Sequence, residues 1–285
     1  MYNDITEIIR EKYDLFTKSQ RLIADYITAN IEKAAYMTAG NLSAKIGISE
    51  ATMVRFASVL GFDGYPSFQK FLQKTAKSRL TSVQRIELAL EKIGSRDILE
   101  SVLKSDINSI EKTLCNIDKA SFEKAVSAIS SAKKIYITGV RSAAALAEFT
   151  GFYFHLIFDN VRVIKSTGGD DLFEKIISVG KGDVIIGISF PRYSKNTIKA
   201  LEYAKKNGAT VIGITDCESS PVVAASEISL IAESDTTSFV DSLTAPFSVI
   251  NALIVAVGIN NRDIIQRNFE KLEEIWDEYE VYDKI

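Results

Sequence analysis

The sequence is short of the residues that build metal sites and disulfide frameworks. It has two cysteines, Cys115 and Cys217, no CxxC pair, and a single histidine, His155, in 285 residues. A zinc site of the usual Cys/His kind cannot be assembled from that set. A disulfide scaffold is equally excluded, and the cysteines read as reduced thiols of a cytoplasmic protein. Long hydrophobic runs are also missing. The longest apolar stretch, Ala245 to Ile259, is interrupted by Ser248 and Asn251 and is short for a membrane span. It reads as a buried helix, and no membrane partner is expected. The opening segment MYNDITEIIREKYD is amphipathic and charged, unlike a signal peptide. No GxxxxGK[ST] is present, and the only GxG, Gly180-Lys-Gly182, precedes a strand instead of following one. It is a turn and not a dinucleotide fingerprint. No metal and no cofactor is expected.

What is present is an ordinary globular composition, 46% hydrophobic and 25% charged, at a length that suits about two domains. The net charge of −3 hides an asymmetry. Residues 1–80 carry 11 Lys/Arg against 8 Asp/Glu, and residues 33–79 alone carry 7 against 2. A basic N-terminal segment on an acidic body suggests a small polyanion-binding unit attached to something else.

Residues 1–80 read as helical throughout. Ile23, Ile27 and Ile31 recur at the spacing of a helix face, with Thr17 or Ser19 as the cap. Further helices are expected over about Thr38–Ile46, over Ser49–Leu60, and from Pro66 to about Leu80. Residues 81–119 read as a helical connector, with Leu88, Ile93, Ile98, Val102, Ile107, Ile110 and Leu114 spaced for one or two long helices. From residue 120 the pattern alternates. Short apolar strands are expected at 133–139, 161–165, 183–189, 210–215 and 228–232, separated by helices such as 195–207 and 243–257. That alternation implies a parallel sheet covered on both faces. The reading is an all-α domain, 1–80, the connector, 81–119, an α/β domain, 120–260, and a charged amphipathic tail helix, 261–285.

Within the first domain, Thr38-AGNLSAKIGISEATMVRFASVL-Gly61 has helix-turn-helix spacing. Leu42 and Ile46 face the core, Gly47 permits the turn, Ile48 plugs the angle, and Val54 with Val59 or Leu60 anchors the second helix. Ser49, Glu50, Thr52, Met53 and Arg55 are then placed outward at that helix's N-terminal end, where a recognition helix offers side chains to the major groove of duplex operator DNA. Arginine suits guanine, and Ser and Thr suit phosphates. Lys70, Lys74, Lys77 and Arg79 could meet backbone phosphates. The bland alternative is a helical bundle with an incidental turn and a solvated basic face. The run Ser49-EATMVRF-ASVLGFDGYPSFQKF-Leu72 resembles the N-terminal domain of RpiR-type (MurR/RpiR) bacterial transcription regulators, through "S-x-A-T-x-x-R-F" combined with "L-G-F-x-G-Y-x-x-F". The resemblance implies a SIS (sugar isomerase) domain behind it: a helix-turn-helix bundle joined to a doubly wound, five-stranded parallel sheet. It also implies regulation of sugar metabolism through a phosphorylated sugar.

Independently of the resemblance, four polar segments are expected at the carboxyl ends of the strands, where open parallel sheets bind ligands. They are 139–142, 166–170, 189–194 and 215–220. Helix N-termini rich in hydroxyls favour anions, and Arg141 and Arg192 add fixed charge, although Ser and Thr there also serve as plain caps. Arg141, Ser142, Ser189, Arg192, Tyr193, Ser194 and Thr197 are the candidate effector contacts. By the resemblance, Ser189, Ser194 and Thr197 correspond to the SIS domain's Ser/Thr-rich phosphosugar loop. In the common G-x-G-x-S pattern, Arg141 replaces the second glycine and Ala143 the serine. An isomerase is the alternative reading, with Glu148 and His155 as the candidate bases. The expectation is a non-enzymatic regulator with no catalytic residue, acting as a homodimer or higher oligomer because paired half-sites ask for two heads.

Overall fold

The computed structural model describes residues 5–79, 83, 86, 97–165, 171–234 and 240–282, apart from the side chains of Lys74, Lys77, Ser78 and Arg79. Leu88 and Ile93 of the expected connector, the polar segment 166–170, and the phosphate contacts assigned to Lys74, Lys77 and Arg79 lie outside the described residues. The chain divides into two compact units between Lys92 and Ile93.

The first unit is helical: α1 Ile5–Lys12, α2 Lys18–Ala29, α3 Ile31–Ala34, α4 Ala39–Ile46, α5 Glu50–Leu60 and α6 Gly64–Arg79. Thr17 is the cap of α2. Its hydroxyl accepts from Gln20 N while its own N–H donates to the Gln20 side chain, a reciprocal box that satisfies two orphan donors. The core holds Ile5, Ile23, Ile27, Leu42, Met53 and Leu72 around stacked aromatic rings, with Phe56 edge-on to both Phe16 and Phe68. Tyr65, Gln69 and Gln73 lie at successive four-residue steps on α6. They donate to the carbonyls of Met37, Met37 and Ala35. This row supplies partners to carbonyls that the end of a short helix leaves open, and it fixes the chain entering α4. Burial pushes the Tyr65 hydroxyl up to about 12.

The second unit begins with α7 Ile98–Asn116, capped by Asp97, and α8 Lys119–Ser130, capped by Asp118. Then strands and helices alternate: β1 Ile135–Gly139, α9 Ser142–His155, β2 Val161–Ile164, α10 Asp171–Ile176, β3 Val184–Ile188, α11 Lys195–Lys206, β4 Thr210–Thr215, α12 Pro221–Ala225 and β5 Ile228–Ile231. They are followed by α13 Thr244–Asn260 and α14 Arg262–Glu278. The five strands form one parallel sheet in the order β2-β1-β3-β4-β5. Alternate residues face opposite sides. Ile135, Ile137 and Ile186 pack on α8, α9 and α13, while Tyr136, Ile185 and Val211 pack on α10, α11 and α12. All five expected strands are present, 210–215 with its expected bounds and the other four trimmed at one or both ends, because each carries a short apolar run that a doubly covered sheet requires. Among the described residues no single helix is long and apolar enough to cross a membrane.

Candidate functional site

In the first unit, α4 ends at Gly47, whose φ of 79° is the left-handed cap that a residue without Cβ takes at little cost. Ile48 N–H donates back to Ser43 O, and Ser49 caps α5 by accepting from Thr52 N. The two helices and their tight turn thus follow from Thr38, Gly47 and Ser49, the three residues that punctuate the sequence. The outward face of α5 differs from the expected one in two respects. Met53 is fully buried, together with Phe56, Ala57 and Leu60, so it belongs to the core and not to the contact surface. Val54 and Val59, expected as anchors, are 38% and 40% exposed. The stripe that faces inward is the one through Phe56, the bulkiest side chain available, and at 100° per residue that choice turns Val54 out. Ser49, Glu50 and Arg55 are exposed and Thr52 half-exposed. The Ser49 and Thr52 hydroxyls lie 2.8 Å apart, and Arg55 Nε donates to Ala51 O, which lays the guanidinium along its own helix. The Glu50 carboxylate leans over Gly40, where an added Cβ would stand 3.4 Å from Glu50 Oε2. It is drawn toward the positive end of α4.

The second unit brings its polar residues together at the carboxyl edge of the sheet. Strand order reverses between β1 and β3, the position where open α/β sheets bind ligands. Gly139 and Ile188 are register partners there, so the loops 140–142 and 189–194 leave the sheet side by side. Gly139 is forced by packing: a Cβ on it would fall 2.5 Å from the Ala143 carbonyl, in the first turn of α9. Arg141 holds φ 58°, ψ −126°, and Arg192 holds φ 67°. Both arginines occupy backbone space that glycine favours, at a cost of about 1–3 kcal/mol each. Arg141, at the position of the second glycine in G-x-G-x-S, thus holds a backbone conformation that glycine favours. Arg141 and Ser142 are exposed at the start of α9, which has no side-chain cap.

Across the edge, the 189–194 loop is held by its own serines. Ser189 Oγ accepts from Ser194 N, and Ser194 Oγ accepts from Thr197 N as the cap of α11. The Tyr193 hydroxyl donates to Asp216 Oδ1 at 2.8 Å and lies 3.7 Å from Cys217 Sγ. Burial, with the Asp216 carboxylate next in effect, holds that phenol far above its ordinary value. Tyr193 therefore ties the loop to the β4 loop, and its ring is what remains for a ligand. Asp216 was not among the expected site residues. Two buried hydroxyls, Thr138 Oγ1 at the end of β1 and Thr197 Oγ1 in the first turn of α11, have no hydrogen-bond partner among the described residues. An unmet buried hydroxyl costs about 1–3 kcal/mol, and both sit at the edge where two helix N-termini and two arginines gather. That set suits an anion.

The residues weighed as bases stand apart from that chemistry. Glu148 is exposed and ion-paired with Lys165 at 3.2 Å. His155 is exposed at the far end of α9, with Nδ1 2.6 Å from Gly151 O.

Comparison with known proteins follows the same division. A family model described as "Helix-turn-helix domain, rpiR family" matches residues 3–79, and one described as "SIS domain" matches residues 128–256. An uncharacterized HTH-type transcriptional regulator of Caldanaerobacter subterraneus is 27% identical over 282 residues, 95% of this chain and 96% of its own. The sugar isomerase domain of an RpiR transcription factor from Sphaerobacter thermophilus superposes with a TM-score of 0.59 at 24% identity. It covers 62% of this chain and 98% of that one. The Vibrio vulnificus NanR protein, solved in complex with ManNAc-6P, matches with a TM-score of 0.59 at 20% identity, over 97% of this chain and 99% of that one.

Proposed function

We propose that the chain is a helix-turn-helix transcriptional regulator of the rpiR family with a SIS domain, a cytoplasmic regulator of sugar metabolism whose operator binding is set by a phosphorylated sugar. The observation that carries this reading is the anion-suited edge of the sheet: Arg141 and Arg192 held in glycine-like backbone, with the unpartnered hydroxyls of Thr138 and Thr197 beside them. The ManNAc-6P bound by the Vibrio vulnificus relative supports a phosphosugar as the class of ligand. The phosphate sits against the N-termini of α9 and α11, with Ser142, Ser194 and Thr197 donating and the two arginines balancing charge. Ser189 keeps the loop in place, and the Tyr193 ring borders the sugar.

In this reading α5 enters the major groove, with Ser49, Thr52 and Arg55 at the contact surface and Glu50 held back toward α4. A two-fold dimer presents two such helices to paired half-sites. The domain acts by binding and does not turn its ligand over. The test is a panel of sugar phosphates scored twice, by thermal shift of the full chain and by operator affinity. Ligand that raises the melting temperature and changes operator affinity without being consumed is the expected result. Turnover would establish an isomerase. A chain that binds no promoter DNA at low salt would sink the regulator.

A further inference from the structure

Helix α7 is attached to its unit in an inverted way. The residues it buries are polar: Ser109 and Thr113. Thr113 Oγ1 accepts from Glu233 N, and Asp106 accepts from the hydroxyls of Ser242 and Thr244 at 2.5 and 3.0 Å. The large aliphatic side chains face out instead. Leu99, Leu103, Ile107 and Leu114 are 69%, 52%, 55% and 72% exposed, and Ile110 is half-buried between them. Their spacing of four, four, three and four residues keeps them on one stripe of the helix. A soluble helix with a continuous aliphatic stripe in water calls for a partner.

We infer that the partner is a second copy of the same helix, packed antiparallel across a two-fold axis beside Ile107. The inference rests on the dimer proposed above and assigns its surface. The argument is self-complementarity, which a two-fold interface demands. Turned antiparallel about Ile107, the stripe matches itself: Leu99 meets Leu114, and Leu103 meets Ile110. Lys104 and Glu111 share one flank of the stripe, and the same register brings Lys104 of one copy to Glu111 of the other, twice. A parallel two-fold pairing instead sets the Lys104 and Glu111 flank of each copy against the opposite flank of the other, the face through Asp106, Ser109 and Thr113 that already packs on its own unit. A stable interface takes about 800 Å² from each partner, more than one helix face. The stripe continues into a shallow apolar pocket of about 270 Å³ bordered by Ile117, Phe122, Val249 and Ala252, which widens the surface without a break.

The test is cysteine cross-linking in the full chain after Cys115→Ser and Cys217→Ser. Under mild oxidant, Ile107→Cys should give a covalent homodimer. Leu99→Cys alone should not, whereas an equal mixture of Leu99→Cys and Leu114→Cys chains should. A covalent dimer of Leu99→Cys alone would mean parallel helices and would overturn the inference. Leu103→Lys changes a side chain already in solvent in its own unit, so the fold tolerates it, and the dimer should dissociate at least tenfold more readily by sedimentation. A Leu103→Lys protein as dimeric as its parent, with no cross-link at position 107, would move the interface elsewhere, for instance to the groove between α9 and α13 lined by Tyr153, Val255 and Ile259. A parent chain that sediments as a monomer would overturn both this inference and the dimer on which it rests.

Discussion

The two units handle backbone strain in opposite ways. In the helical unit every described residue with positive φ is a glycine: Gly47, Gly61 and Gly64. In the sheet unit three non-glycine residues hold positive φ: Arg141 and Arg192 at the carboxyl edge of the sheet, and Glu280 after α14. The helical unit offers its surface on the outside of a regular helix, where side chains reach out without asking anything unusual of the backbone. At the sheet edge two exposed arginines stand in tight loops, and there the sequence keeps a bulky cation where glycine would relax the chain. Strain kept at Arg141 and Arg192 is what the ligand site proposed for the sheet edge would account for.

The largest expected effect is that the two units melt separately. Phe56 is fully buried at the centre of the helical unit's aromatic stack. Phe56→Ala should cost that unit about 3–5 kcal/mol. Calorimetry should show the loss confined to one transition. Operator binding should disappear while sugar-phosphate binding remains. A uniform loss across both transitions would mean the units do not act as separate folding bodies.

Arg141→Gly sharpens the contrast, because the two consequences have opposite signs. Glycine accepts φ 58°, so the protein should gain about 1 kcal/mol of stability. The lost charge-assisted contact should weaken a phosphorylated effector by about 1.5–3 kcal/mol. A variant that is both more stable and poorer at binding is the expected pair of readings, by denaturant titration and isothermal calorimetry. Unchanged affinity would remove Arg141 from the site and leave its backbone unexplained. On the other unit, Arg55→Ala should leave stability within about 0.5 kcal/mol, since Arg55 is exposed and donates to a carbonyl of its own helix. It should cost operator binding about 1–3 kcal/mol if it reads a base. A shift that is equal on unrelated DNA would assign it to the phosphates instead.

Legibility in the sequence also differed between the units. The five strands were readable because each is a short apolar run between turn residues, and the starts of α4 and α5 were readable at Thr38 and Ser49, which the structure makes their caps. The facing of α5 was not. Met53, Val54, Phe56, Ala57, Val59 and Leu60 are apolar all round, and only the fit of Phe56 between Phe16 and Phe68 decides which stripe turns in. Arg141 could be singled out because it stands where a glycine is usual. Asp216 could not, because its bond with Tyr193 joins two loops 23 residues apart with no local pattern to announce it. The polar attachment of α7 was hidden for the same reason: Thr113 and Asp106 find their partners beyond β5.

The smallest expected effect lies in the helical unit and depends on pH. The Tyr65 hydroxyl donates to Met37 O at 2.7 Å, and burial raises its ionisation from 10.0 to about 12. The folded state therefore holds this proton more tightly than the unfolded chain does. The resulting stability is fully present below pH 10 and is lost as the pH rises toward about 12. Tyr65→Phe keeps the ring against Phe68 and removes only the hydrogen bond. At neutral pH it should cost about 0.5–1.5 kcal/mol, far less than Phe56→Ala, because Gln69 still donates to the same carbonyl. Above pH 10 the parent should lose stability toward the variant, so the two denaturation midpoints for the helical transition converge as the pH climbs. The sheet unit's own phenol, Tyr193, is held higher still. Its transition therefore carries a separate alkaline dependence that Tyr65→Phe leaves untouched. Midpoints that stay parallel from pH 9 to pH 11 would show that Tyr65 ionises as freely in the folded unit as in the unfolded chain, and that the row Tyr65, Gln69 and Gln73 is looser than its hydrogen bonds indicate.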